Sequence, residues 1–434
     1  MAVIKFRNPH GQGPSEDQFN SEREAGDVDD TPLVLSAEDA GAVPDDYGEE
    51  EPEDDGALLQ HRRQARRTIL RVLLFAAAMA AAVILILMQS ANREFTAATY
   101  RKIADLTGEE GTRYLPLNGC VVAYSRDGAS CMSAGGDMIW NITFEMQEPV
   151  TASEGGILAI GDYGGSTIYV CNSQKNLGTI NTNMPIRAIS VSASGEVAAV
   201  LDDTDVTWVY LFDSDGSTIA YFKTTMNQSG YPLAVAVSPS GEMVVVSHLI
   251  YENASADTSI AFYNFGAVGQ NAVENNVAGF NYENEIFPLV GFLNDSVSYG
   301  VSDGRISFFE GKEIPKAGAN AMFADEVQGV FAGDKYIGLL FPDTTGDSQY
   351  VLKLYDGTGQ QAGTVSFSMD YTSLQIVGDR VVISNDQQIK IININGSLRY
   401  DGKFGKAVSA VIPTAYPNRY LIVTDSAVQM MVLE

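Results

Sequence analysis

Histidine, cysteine and tryptophan are scarce in this 434-residue chain, which has three His, three Cys and two Trp. Three cysteines exclude a disulfide-rich scaffold and any zinc site built on four thiolates. Two of the histidines, His10 and His61, come early and leave His248 as the one imidazole for the remainder. A Ser-His-Asp triad would have to use it, and no G-x-S-x-G elbow accompanies it. Positive charge is short as well. Against 55 Asp and Glu stand 27 Lys and Arg, a net charge of −28. A phosphate-reading surface needs a basic patch, so nucleic acid is not an expected partner. Hydrophobic residues nonetheless make up 45 % of the chain, enough for most of it to fold.

The charge is unevenly spread. Residues 1–60 hold 17 acids and 3 bases, a net of −14, and include YGEEEPEDD at 47–55. Their apolar residues are isolated and show no period. Low hydrophobicity with high net charge cannot offset the entropy of ordering, so an acidic disordered tail is expected. The sign then reverses, with Arg62, Arg63, Arg66, Arg67 and Arg71 inside the basic segment 61–71. Residues 72–92, VLLFAAAMAAAVILILMQSAN, follow without a single charge. About 20 apolar residues at 1.5 Å rise span a hydrocarbon core of roughly 30 Å. The long stretch before it and its length favour an uncleaved anchor over a signal peptide or a buried core helix. The arginine cluster lies on its N-terminal side. The positive-inside rule then puts the N-terminus in the cytoplasm and the C-terminal domain outside, in a single-pass arrangement.

From residue 99 onward the pattern changes to short apolar strands with Gly, Asn and Asp turns, and no convincing amphipathic helix interrupts them. VAAVLDD, WVYLFDSDG, YVLKLYDGTG and IKIININGS each read as strand then turn. One turn type recurs at Ser194-Gly195, Ser240-Gly241, Asn294-Asp295, Gly333-Asp334, Gly378-Asp379 and Pro417-Asn418, at a mean spacing of about 45 residues. Four strands per unit at that period is the mark of a β-propeller blade. Units at 113–146 and 149–182 fit more loosely. The last unit supplies three strands, AVSAVIP, RYLIVTD and AVQMMVLE, and TYRKIADL at 99–106 is an isolated candidate for the fourth. Pairing of 99–106 with 405–434 would close the ring and remove its free edges. The expectation is therefore an all-β domain over 99–434, an extracytoplasmic propeller of eight blades, with seven as the alternative.

Two resemblances accompany this reading. CVVAYSRDGASCMSAGGDMIWNITFE (120–145) resembles a quinoprotein-type or WD40-like propeller repeat, with Asp127-Gly128, Gly135-Gly136 and Trp140 at its turn and strand-end positions. That is a packing signature and implies no quinone. SGYPLAVAVSPSGEMVVVS (229–247), AFYNFGAVGQN (261–271) and PIRAISVSASGEVAAVL (185–201), together with the basic flank and apolar run, resemble a family of single-pass membrane proteins of Gram-positive anaerobic bacteria, mainly Clostridia. The resemblance implies topology and a propeller-like outer domain of unknown function. It brings no catalytic residues.

No catalytic, cofactor or metal residue is assigned, and no cofactor is expected. His248 follows a strand-like run, MVVVS, and reads as a packing or surface residue. Asp213-Ser214-Asp215-Gly216 and Asp202-Asp203-Thr204-Asp205 imitate the start of a calcium loop but lack its later ligands. Other acids, among them Asp303, Asp356 and Asp379, sit at turns for turn chemistry. A two-residue Asp127-Gly128 turn would set Tyr124 opposite Cys131, so Cys120, Cys131 and Cys171 are expected to be free, largely buried thiols. Tyr210, Phe212, Tyr221, Phe222, Phe262, Tyr263, Phe308, Phe309 and Tyr355 suit packing between blades, with a sugar-stacking platform as the rarer use. Segments 251–257, 266–280 and 342–349 exceed hairpin loops and are the expected partner surface.

The leading functional expectation is a non-catalytic binding or scaffold module, anchored in the membrane and recognising an envelope protein, peptide or glycan. The alternative is an envelope polysaccharide hydrolase or lyase using channel carboxylates. A transmembrane signal relay ranks third.

Overall fold

The computed structural model describes residues 72–79, 93–106, 111–204, 206–225, 229–252, 255–344 and 346–434. The acidic tail and basic segment fall outside these residues, as does most of the expected span at 72–92. Of that span, 72–79 are helical, in a unit separate from the β domain, with the side chains of Val72, Leu73, Leu74, Phe75 and Met79 exposed. No helix among the described residues is long and apolar enough to cross a membrane.

Eight four-stranded antiparallel sheets account for the rest. Blades 1 to 7 are contiguous, at 113–143, 149–181, 186–224, 231–282, 289–322, 329–367 and 373–403. Blade 8 takes three strands from 410–433 and its outermost from Ala98–Asp105. The fold is thus an eight-bladed β-propeller. The first strands of successive sheets approach one another, so they ring the axis and the fourth strands form the rim.

Why the sequence builds blades is clearest in the second strands. Ile157–Asp162, Val197–Asp202 and Ile337–Pro342 are apolar at consecutive positions and buried at five of six. Successive side chains of a strand point to opposite faces, so both faces of each sheet are covered. Leu158 and Ile160 pack toward blade 1, while Ile157 and Ala159 pack toward blade 3. The core is therefore split into eight clusters, one in each seam between neighbouring blades. Aromatic side chains fill these seams, as in the Phe222–Tyr263 stack at 4.0 Å.

The ring closes where the N-terminal strand Ala98–Asp105 meets the last strand, Ala427–Leu433, with Ala98 opposite Leu433 and Asp105 opposite Ala427. Thr99 Oγ1 donates to the Glu434 carboxylate at 3.0 Å. Just before it, Phe95 N–H donates to the Arg399 carbonyl of blade 7 at 2.8 Å.

Two local expectations are corrected. Tyr124 pairs with Ala129, and Cys131 with Val122, two residues from the expected register. The turn is not the two-residue Asp-Gly form. Ser125 N–H donates to the Gly128 carbonyl at 2.9 Å and Ser125 Oγ accepts from Asp127 N–H, so the reversal takes four residues. All three cysteines are free thiols, with Cys131 and Cys171 buried and Cys120 half-buried. Burial is the main cause that pushes the Cys131 and Cys171 thiols up to about 12, which makes them inert. Segment 251–257 is not a loop either. Met243–Glu252 and Ser255–Asn264 are ten-residue strands, so only 253–254, outside the described residues, connect them.

His248 packs as expected, 2 % exposed, with the Tyr263 hydroxyl 3.5 Å from Nε2 and no partner for Nδ1 among the described residues. Desolvation lowers its pKa from 6.5 to about 4. Between those values the unfolded chain binds the extra proton and the folded one does not. Stability should therefore fall as pH drops from 6.5 to 4, by about 3 kcal/mol from this group. Denaturant titrations across that window should show the slope, and His248→Gln should remove that share of it. Leu158→Ala, at a fully buried seam position, should cost about 3 kcal/mol in the same assay at pH 7.

Candidate functional site

A propeller offers a channel with two mouths, and the strand order assigns them here. The turns between first and second strands, and between third and fourth, lie at one end, the turn face. Second-to-third connections and the crossings between blades lie at the other, the loop face. The chain enters Ala98–Asp105 at the turn face, since this is a fourth strand.

The channel wall is nearly free of charge. Across the eight innermost strands only Arg113, Glu154 and Arg187 are ionisable as acid or base. The half-buried positions between the mouths are aliphatic, aromatic, hydroxyl or amide, such as Thr151, Ala152, Ile189, Ser190, Phe292, Phe331 and Gln375.

At the loop-face mouth Arg187 is already engaged. Its Nε lies 2.5 Å from the Asp202 carboxylate, and its guanidinium lies 5.3 Å from the centre of the Tyr163 ring. Asp202 also accepts from Thr207 Oγ1 at 3.3 Å. Tyr231 completes the group, its hydroxyl raised by burial and then by Asp202. Asp202, one of the calcium-loop imitators, is thus an ion-pair partner. Asp203 accepts from Thr204 N–H at 2.7 Å, and Asp205 lies outside the described residues.

The turn-face mouth is acidic because its turns are. The motif S-x-S-G-E occurs twice, at 192–196 and 238–242. In the first copy Ser192 Oγ accepts from the N–H groups of Gly195 and Glu196, both at 2.9 Å, and donates to the Glu196 carboxylate. Asp295 of blade 5 accepts from Ser240 N–H of blade 4 at 2.8 Å, and Ala193 N–H donates to the Pro239 carbonyl at 3.0 Å. Asp379 accepts from Lys335 Nζ and from the Tyr336 hydroxyl, both at 3.3 Å. These acids join one turn to another. Asp213 and Asp215 do likewise within a single turn, where Asp215 accepts from Ser217 N–H at 2.8 Å.

Glu154 and Asp334 are different. They come from blades 2 and 6, opposite one another in a ring of eight, and the Asp334 charge bears on Glu154. Burial, then Asp334, raises the Glu154 carboxyl. Tyr299 of blade 5 faces the same charge and is pushed up to about 12, mainly by burial. Its ring reaches this position over Gly291, where any side chain would collide with the hydroxyl at 2.5 Å. Among the described residues, no group of three or more His, Cys, Asp or Glu side chains is arranged to hold a metal ion.

The loop face carries a projection. In blade 4, residues beyond Leu249 and before Thr258 have no partner on the first or fourth strand, so 250–257 stand out as a two-stranded finger. Tyr251 near its tip is 63 % exposed. Asp257 accepts from Ser255 Oγ at 2.6 Å and from Asn284 N–H at 2.8 Å, which braces the base. Beside it a cavity of about 430 Å³ is lined by Ser255, Ala256, Asn284, Ile286, Pro288 and Asp303. The other long segments are less open. Within 266–280, two 3-10 turns lead into the fourth strand Asn276–Tyr282, and Asn275 Nδ2 donates to the Asn264 carbonyl at 3.0 Å. In 342–349, Asp343 Oδ2 accepts from Ser348 N–H at 2.9 Å.

Comparison with known proteins fits this architecture. The chain is similar to the computationally designed Ika8 protein, at 14 % identity and a TM-score of 0.51, over 77 % of this chain and 100 % of that one. It is also similar to BamB from Moraxella catarrhalis, at 13 % identity and a TM-score of 0.45, over 77 % and 100 %. AztD from Citrobacter koseri follows at 10 % identity and 0.44, over 68 % and 87 %. At such identities the likeness to Ika8 speaks for the fold alone. No curated protein matches the chain. A family model does match, over residues 91–433 and hence every blade of the ring, and the chain belongs to that family of unknown function, DUF5711.

Proposed function

We propose that the protein is a binding or scaffold module without catalysis, held at the cell envelope by a single membrane span in 72–92. On this reading residues 1–60 lie in the cytoplasm and the propeller lies outside. The uncharged run behind five arginines supports the span, and so do the exposed apolar side chains of 72–79. The resemblance to single-pass proteins of Gram-positive anaerobes belongs to the same reading.

The blade 4 finger carries the binding role. Its described residues are hydrogen-bonded strand and not loop, and it presents a large amphipathic ring beside a concave surface. Exposed tyrosines on rigid supports suit peptide and glycan recognition, because they give contact area at little entropic cost. A photo-cross-linker at position 251 should capture the same envelope protein, peptide or glycan in replicate membrane preparations. Tyr251→Ala should weaken that complex at least about tenfold, the scale of a hot-spot tyrosine, with an unchanged melting temperature. No reproducible adduct, or full binding by Tyr251→Ala, would remove the finger from this role.

One observation favours the second reading, a glycan hydrolase or lyase. Glu154, whose carboxyl is raised by burial and then by the charge of Asp334 from across the ring, has the form of a general acid. The binding reading expects no turnover of envelope polysaccharide by the purified protein, and none lost in Glu154→Gln. Turnover that falls a hundredfold or more in Glu154→Gln, with the fold intact, would put the enzyme first.

A further inference from the structure

The eight seams are not equally filled. The third strands of blades 2 to 6 each send a ring into the seam behind them: Tyr169, Tyr210, Tyr263, Phe309 and Tyr355. Blades 7 and 8 send Ile392, Met431 and Leu433 instead, and blade 1 has no ring there either. Its third strand, Gly128–Met132, alternates so that Ala129 and Cys131 pack toward blade 2. That leaves Gly128, Ser130 and Met132 for the seam with blade 8. The cluster there contains only Val121, Ile412, Leu421, Val423 and Val428 as fully buried members. A cleft of about 500 Å³ lies in this seam, with Tyr114 of the first strand among its lining residues.

The cleft has a definite chemistry. Val121, Met132, Met138 and Val428 give it an apolar wall, and Met138 on the rim strand is 58 % exposed. Asp127 stands at the loop-face end, with Ser130 and Asn141 along the wall. Asp105 also borders the cleft, but Lys102 pairs with it. No Lys or Arg is among the lining residues. Five residues of extended strand, Gly128–Met132, make the wall roughly 14 Å long. The volume falls in the range of small-molecule sites. Among the described lining residues, Asp127 is the one charged side chain without an ion pair, and it sits at one end of a trough of mixed polar and apolar lining.

We propose that the seam between blades 8 and 1 is a binding site for an apolar amine, an extended hydrocarbon or aromatic body whose ammonium group meets Asp127. Methionines suit such an occupant, because their flexible, polarisable side chains adapt to an irregular apolar surface. An anion of the same shape would leave Asp127 facing a like charge, which the trough has no base to offset. The site is separate from the blade 4 finger and does not depend on the role proposed for it.

The test uses two probes with the same body and opposite charge, 4-phenylbutylamine and 4-phenylbutyrate, titrated calorimetrically into the purified full chain. Saturable binding of the amine is expected, with the acid at least tenfold weaker. Met138→Lys puts a base into the trough from an exposed rim position and should weaken the amine at least tenfold. Ser130→Tyr supplies the ring that blades 2 to 6 have, and should abolish binding while raising the melting temperature. It serves as an independent variant if Met138→Lys folds poorly. Asp127→Asn should bring the affinities for amine and acid together. The proposal is overturned by the absence of saturable amine binding, by equal affinity of the two probes for the native chain, or by amine binding that survives both Met138→Lys and Ser130→Tyr.

Discussion

A blade of this protein has no core of its own. Its second strand is buried on both faces, and each face is completed by a neighbour, so every sheet depends on two others. Such an arrangement is stable only when it returns on itself. The pairing of Ala98–Asp105 with Ala427–Leu433 is where it does so, and the remaining seams depend on that ladder. Bringing together chain ends more than 300 residues apart costs on the order of 5 kcal/mol in loop-closure entropy beyond its constant term. The offset comes from the ladder, from Phe95 against Arg399 of blade 7, and from the blade 8 clusters on either side. Without the N-terminal strand, the last strand would present an open edge.

Much of this was legible in the sequence, and the reason is periodicity. Turns at Ser194-Gly195 through Pro417-Asn418 recur because each blade repeats one turn chemistry at one place, and all six lie between first and second strands. The blade count could be argued from them, and the unpaired strand after the apolar run could be assigned to blade 8. Blade 1 was misread in register because Asp127-Gly128 suggests a two-residue hairpin, whereas Ser125 Oγ stabilises a wider turn. The finger was misread because YENASAD at 251–257 has turn-like composition. Its strand character comes from pairing with its own hairpin partner and from the Asp257 brace, which single-residue propensity does not register. Glu154 and Asp334, 180 residues apart in the sequence, meet only through the geometry of the ring, and no local pattern could join them.

The acidity of the domain acquires a structural meaning. Most turn-face acids accept hydrogen bonds from backbone N–H groups, serines or a neighbouring lysine, and so lace adjacent blades together. They are parts of the scaffold before they are parts of any site. What they leave is a surface that repels polyanions, a channel wall without charge, and a loop face from which one rigid hairpin stands out. The Arg187–Asp202 ion pair at one mouth and the Glu154 carboxyl at the other mark the ends of an otherwise neutral passage.

The closing seam also shows how a ring can leave room without losing stability. As at the other junctions, the chain passes from the outermost strand of blade 8 to the first strand of blade 1. What differs is inside blade 8, where that outermost strand is joined to the last strand by a backbone ladder and not by a hairpin. Gly136 of blade 1 sits so close to Ile103 that a Cβ there would lie 3.0 Å from the Ile103 side chain, while the trough alongside holds a serine where blades 2 to 6 hold a ring. A missing ring in the interior of seven well-filled seams would be a cavity with a cost of several kcal/mol. At the eighth, where the trough opens to solvent and hydrogen bonds fix the strand, the seam holds a cleft with one charged end.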